Sequence, residues 1–256
     1  MSRINASKSG FTLTELLVVL GVIAILSALV FPALGKALAA GRSAACQSNL
    51  HQMQVAYQMY LDDHNGRFFP WSTNTTEGTL WYFGLEPKGG SSGEGSRTLD
   101  KSRARLAPYF THCGGIEVCP SLPYKASYFK QKFELASYGY GLNAYLIAGT
   151  SQNKNSGITR ISQVDLPAET IAWADAIQVN EFQAPASPKN PLLEEWYCLT
   201  KGSPPTFHFR HNKKCNAIMV DGSSRSFEPY ELFARCDGLS GWIEPKAEDY
   251  YLRPVK

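Results

Sequence analysis

Lys8-Ser9-Gly10-Phe11-Thr12-Leu13-Thr14-Glu15, running straight into residues 16–35 (LLVVLGVIAILSALVFPALG), is the stretch that decides how this chain folds. The twenty residues 16–35 carry no charge. At about 1.5 Å of rise per residue, a helix of that length crosses a hydrocarbon core roughly 30 Å thick. The stretch therefore reads as a membrane span. A secretory signal peptide also sets basic residues, here Arg3 and Lys8, before an apolar run. This run is too long for one, and Ala33, Gly35 and Ala37 make only a weak small-x-small match to a cleavage site beyond it. Lys36 and Arg42 follow the span as Arg3 and Lys8 precede it, so counting positive charges does not orient it. Glu15, a lone carboxylate at the mouth of an apolar helix, is costly in lipid without a partner and is a candidate functional residue on that ground.

Those residues closely resemble the type IV prepilins and the type II secretion pseudopilins. The family signature is a short basic leader ending in Gly, then Phe, then Glu at the fifth mature position and a hydrophobic helix, and Gly10, Phe11, Glu15 and the run interrupted by Pro32 match it in turn. The resemblance implies that a prepilin peptidase on the cytoplasmic face cuts between Gly10 and Phe11 and methylates the new amine. It also implies an N-in orientation, with everything after the span outside the cytoplasm. Cleavage creates a cationic amine at Phe11, and a cation and a carboxylate in a low-dielectric medium both need partners. In a filament of staggered helices, Glu15 of one subunit can meet the amine of the next. Pro32 removes one helical hydrogen bond and tends to kink or unwind the helix.

Beyond the span, Cys46, Leu50, Met53, Tyr57 and Leu61 recur at helical spacing, an apolar stripe facing a soluble domain. Asn65-Gly66 supplies a stop, so the helix is expected from about Thr12 to about Asp63. The texture then becomes aromatic and turn-rich. Residues 88–96 (KGGSSGEGS) read as a flexible surface loop. Candidate strands lie at 136–146, 170–174, 195–199, 207–210 and 216–220, with 224–227 after the Asp221-Gly222 turn. With no βαβ alternation and no internal repeat, the expectation is an α+β fold: a long N-terminal hydrophobic helix packed on a mainly antiparallel sheet. The 25 Lys+Arg against 22 Asp+Glu are scattered, unlike the basic face of a nucleic-acid binder, so nucleic acid is not an expected partner.

A second resemblance narrows the family. His211, nine residues, then Asp221-Gly222 is similar to the H-x(9)-D-G element of a bacterial group of large prepilin-like proteins. Four further stretches look like that group: Cys46-Gln47-Ser48-Asn49-Leu50-His51-Gln52, Val118-Cys119-Pro120-Ser121, Ser137-Tyr138-Gly139-Tyr140-Gly141-Leu142-Asn143 and Ala174-Asp175. The group often carries His directly after Asp-Gly, where this chain has Ser223.

His208, His211, Asp175 and Asp221 have the atom types of a metal or acid-base site, but their separation matches no recognised ligand spacing. They are expected instead to satisfy turn and backbone hydrogen bonds, Asp221 supporting the hairpin turn and His211 anchoring the incoming strand. No cofactor is expected. Related pseudopilins hold calcium in a loop, for which Asp237-Gly238 and Glu248-Asp249 are candidates by composition alone. No nucleophile elbow, P-loop or dinucleotide fingerprint occurs, so an enzyme is not expected. The six cysteines, Cys46, Cys113, Cys119, Cys198, Cys215 and Cys236, are compatible with disulfides outside the cytoplasm. Because Cys46 and Cys119 each lie in a stretch resembling the family, they are the favoured pair, with Cys113 to Cys119 the local rival.

The resulting expectation is a leader (1–10), a transmembrane and filament-core helix (11–35), its amphipathic continuation (36–65) and a globular pilin-like domain (66–256). The chain would be a structural subunit, pilin or pseudopilin, anchored in the inner membrane by a single pass and then assembled into a filament. Its expected partners are the prepilin peptidase, homologous subunits and an inner-membrane assembly platform. The competing class is an unprocessed, membrane-anchored module that captures an extracellular ligand or glycan through exposed Trp and Tyr residues.

Overall fold

The computed structural model describes residues 12–90, 93–110, 116, 118–134, 137–200, 202–245 and 250–255. Helix α1, Leu13–Asp63, is 51 residues long and continues through Pro32. It ends because Asn65 and Gly66 take φ of 55° and 73°, the left-handed region those residues tolerate. Their turn lets the Gly66 and His64 amides donate to the carbonyls of Leu61 and Tyr60 at 2.6 and 3.1 Å.

The chain divides into two compact units, Met1–Gly41 and Arg42–Lys256, so the globular unit takes in the last part of α1. In the first unit the apolar side chains stand exposed, Leu29 and Phe31 at 70%. Such a face needs lipid or other apolar surface to cover it. In the second unit the stripe expected from the sequence is buried: Cys46, Leu50, Met53, Tyr57 and Leu61 are all at 1% exposure or less.

The sheet packed on that stripe has five strands, in the order Ser224–Phe227, Cys215–Met219, Ile171–Asp175, Tyr140–Asn143, Cys198–Leu199. Trp173 stands at its centre, aligned with Ile218 on one side and Leu142 on the other. It meets Tyr57 of α1 edge-on at 5.8 Å. Both faces of the sheet are covered. Trp173 and Ile218 belong to the core on the helix side, whereas Ile171, Ala174, Ala217 and Met219 pack on a second cluster with Phe207, Phe209 and Leu252. This double burial explains why these strands are continuous apolar runs without polar alternation.

Three smaller three-stranded sheets surround the main one. Among the described strands the pairings are antiparallel except Phe129–Lys130 with Leu192–Glu194 and Tyr140–Asn143 with Cys198–Leu199. The fold is thus α+β, a long apolar N-terminal helix followed by a mainly antiparallel globular domain.

Two local expectations change. The 136–146 segment is a strand only at Tyr140–Asn143, because the Asn143 side chain accepts from the Tyr145 amide and opens a 3₁₀ turn, Ala144–Leu146. The Gly/Ser-rich 88–96 segment is tied down where it is described: Glu94 pairs with buried Lys130 at 2.8 Å, and the Gly95 amide donates to the Lys132 carbonyl at 3.1 Å.

Candidate functional site

Thr12 and Glu15 build the start of α1. The Thr12 amide and hydroxyl both donate to Glu15 Oε2, at 2.8 and 2.7 Å, while the Glu15 amide donates back to Thr12 Oγ1 at 3.2 Å. This reciprocal capping box satisfies helix-start donors and places a carboxylate at the positive end of the helix dipole. Glu15 is exposed, so the same oxygens face whatever surrounds the helix mouth. Gly10 and Phe11 lie outside the described residues.

The second site lies in the globular unit, where α1 crosses the sheet edge. Cys46 on α1 and Cys119 in the following loop form a disulfide with a Cα separation of 5.4 Å. Cys113, the local rival for Cys119, lies outside the described residues. A tight turn at Asn212 and Lys213, with φ of 52° and 62°, closes the His211–Lys214 bridge through paired backbone hydrogen bonds of 3.1 and 2.9 Å. That turn carries Arg210 and His211 toward Asp175, the last residue of its strand and fully buried.

Arg210 Nη2 donates to Asp175 Oδ1 at 2.6 Å and to the Gly139 carbonyl at 2.5 Å, and its Nε lies 3.3 Å from Cys119 Sγ. The Asn216 amide donates to Asp175 Oδ2 at 2.8 Å. His211 Nε2 sits between Asp175 Oδ2, at 3.4 Å, and Cys119 Sγ, at 3.5 Å. From α1, Gln47 donates to Asn216 at 3.3 Å and Asn49 to the Tyr140 hydroxyl at 3.1 Å. Burial pushes the Tyr140 phenol well up, with the Asp175 charge adding to it.

The five stretches that resemble the large prepilin-like group therefore meet here through Cys46, Cys119, Gly139, Tyr140, Asp175 and His211, with one exception. Asp221 and Gly222 lie at the far end of the strand from His211. Asp221 Oδ1 accepts from the Ser223 amide and hydroxyl at 2.9 and 2.7 Å, holding the hairpin turn between Cys215–Met219 and Ser224–Phe227. The H-x(9)-D-G spacing is thus the length of one strand with its turn.

The four residues weighed as metal ligands do not form one set. His211 and Asp175 are together, Asp221 is in the turn, and His208 Nε2 faces Asp237 Oδ2 at 3.0 Å. Burial, followed by the Arg210 charge, lowers the His208 pKa against the pull of Asp237. Asp237 Oδ1 accepts from the Leu239 amide at 3.0 Å, so both its oxygens face nitrogen partners and do not fit an oxygen-lined calcium loop. Glu248 and Asp249 lie outside the described residues. Arg210 and Asn216, which hold Asp175, carried no signal in the sequence beyond their neighbourhood to His211 and Cys215.

Comparison with known proteins matches residues 5–31 to the family described as the prokaryotic N-terminal methylation motif. No curated protein and no solved structure matches the chain. The matched segment runs into α1, which among the described residues is the one helix long and apolar enough to cross a membrane. The match and the helix support a prepilin- or pseudopilin-like protein with membrane anchoring by a single apolar helix.

Proposed function

We propose that this protein is a structural filament subunit, cut by a prepilin peptidase between Gly10 and Phe11, methylated on the new amine, and assembled into a type IV pilus or a type II secretion-type pseudopilus. The observation that carries the reading is the methylation motif at residues 5–31, continuous with a 51-residue helix whose N-terminal part, up to Leu38, stands with its apolar side chains exposed. Glu15 sits at the first turn, where a carboxylate can pair with the Phe11 amine of a neighbouring subunit. The globular unit lies outside the cytoplasm, a compartment that suits the Cys46–Cys119 disulfide. Homologous subunits and an inner-membrane assembly platform are the partners this role requires.

One feature favours the competing role of an anchored ligand-binding module. Trp71, Trp81 and Trp196 are half-buried neighbours, with Trp71 centred 5.9 Å from Trp81 and 6.1 Å from Trp196. Lys132 Nζ lies 5.0 Å over the Trp196 ring. Such a group can stack against a glycan. N-terminal sequencing of the membrane-extracted protein decides between the two. A methylated chain starting at Phe11 supports the filament subunit, and a chain retaining Met1 or Ser2 refutes it in favour of the anchored module.

A further inference from the structure

His211 is poorly explained as a hydrogen-bonding residue. It is 4% exposed, and its Nδ1 is buried with no hydrogen-bond partner among the described residues. Its Nε2 faces a carboxylate oxygen at 3.4 Å, well beyond the ~2.7–2.9 Å of a charge-assisted hydrogen bond. The same nitrogen lies 3.5 Å from Cys119 Sγ. These spacings have another meaning. A tetrahedral zinc with Zn–S of about 2.3 Å, and Zn–N and Zn–O of about 2.0–2.1 Å, holds its S and N donors about 3.5 Å apart and its N and O donors about 3.3 Å apart. Cys46 Sγ, Cys119 Sγ and His211 Nε2 lie within 4.8 Å of one another, all on buried residues.

We propose that Cys46, Cys119 and His211 form a zinc site when the disulfide is reduced, with Asp175, which faces His211 at 3.4 Å, moving in as the fourth ligand. A small dithiol supplies two electrons and two protons to the Cys46–Cys119 bond and is itself oxidised to its cyclic disulfide. Zinc then displaces the two thiol protons. The zinc, two thiolates and one carboxylate together carry one negative charge, and the guanidinium of Arg210, already against both Asp175 and Cys119, offsets it. Arg210 and the Asn216 amide also fix the carboxylate, in the way outer-shell groups orient metal ligands. A small-molecule disulfide takes two electrons from the thiolates and two protons from solvent, becoming a dithiol, as the Cys46–Cys119 bond re-forms and the metal leaves, so the same residues clamp α1 to the sheet either covalently or through zinc. The remaining described thiols are poor competitors. Burial pushes the Cys198 thiol up to about 12 and the Cys215 thiol well up from its ordinary value, and Cys236 is raised to about 11 by burial and then by the Asp237 charge.

The test uses the full chain in detergent, reduced with a dithiol under anaerobic conditions and freed of reductant. Cobalt serves as the spectroscopic probe, and zinc is titrated against a chromophoric chelator. The reduced chain should take up one metal and show thiolate charge-transfer and tetrahedral ligand-field bands, and the oxidised chain should take up none. His211→Ala should weaken zinc binding at least tenfold, and Cys46→Ser at least as much. A measurement on the unmutated chain guards against misfolded variants: zinc should slow alkylation of Cys46 and Cys119 at least tenfold while leaving Cys236 unchanged. No uptake by the reduced chain, uptake unaltered in a folded His211→Ala chain, or alkylation equally fast with and without zinc would each overturn the site.

Discussion

Reducing the Cys46–Cys119 bridge in the presence of a strong chelator isolates the contribution of the cross-link, because no side chain is changed and no metal can replace the bond. The bridge closes a loop with a sequence separation of 73. On the chain-entropy account a loop of that length restricts the unfolded chain enough to stabilise the fold by about 4 kcal/mol. For a domain of this size each kcal/mol shifts the melting temperature by about 2–4 °C, so the reduced protein should melt about 8–16 °C lower. The assay is tryptophan fluorescence of the full chain in detergent. All five tryptophans lie in the Arg42–Lys256 unit, so the signal reports that unit and not the membrane helix. At low temperature the near-UV circular dichroism should be the same in both redox states, since the cross-link acts mainly on the unfolded chain. The denaturant slope should rise on reduction, because a chain without the bridge exposes more surface when it unfolds. A shift below about 2 °C, or mass spectrometry finding every thiol free in protein never exposed to reductant, would refute the reasoning.

Replacing Gly10 with a bulky residue should leave the precursor uncut in the membrane; unchanged maturation on a gel would remove the peptidase reading. Glu15→Ala should leave membrane-inserted monomer at or above the wild-type amount while sheared filament is lost, and parallel loss of both would show that Glu15 serves only the Thr12 cap. Asp175→Asn leaves Arg210 buried without its counter-charge, and should cost about 3–5 kcal/mol in denaturant unfolding; a cost under about 1 kcal/mol would mean the pair is not held as described. Burial pushes the Glu195 carboxyl up to about 7, against backbone and side-chain bonds from Ser137 and the Lys101 and Lys132 charges. The folded state therefore binds this proton more tightly than the unfolded chain, and stability falls by about 3 kcal/mol as pH rises from about 4.5 to about 7. Glu195→Gln should flatten that slope, and an identical pH profile for the variant would assign the slope to other groups.

The sequence alone settled what depends on neighbours along the chain. An uncharged run of membrane length, a methylation motif over residues 5–31, and a stripe at Cys46, Leu50, Met53, Tyr57 and Leu61 are periodic or contiguous signals. The helix they describe is Leu13–Asp63, close to the expected bounds. The Asp221-Gly222 hairpin was legible for the same reason, since a turn is written in the residues that make it. The exact strand bounds were not, because one side chain, Asn143, ends a strand by turning on the following amide and by donating to carbonyls of Ile171 and Leu252 far along the chain. The resemblance marked Cys46 and Cys119 as a pair, and marked His211 and Asp175 without saying that they touch each other or those sulfurs. Its H-x(9)-D-G element names His211 and Asp221, which lie at the two ends of one strand and are kept apart by its length. Only the tertiary fold decided that Arg210 turns inward to Asp175, that His208 goes to Asp237, and that a helix, a loop, a strand end and a hairpin bring two sulfurs, an imidazole and a carboxylate together. Contacts between α1 and the sheet join residues up to 179 positions apart, as Gln47 and Ser226 are. They exist because burying a charge requires a partner from whichever segment the packed core places beside it, and no local pattern encodes which segment that is.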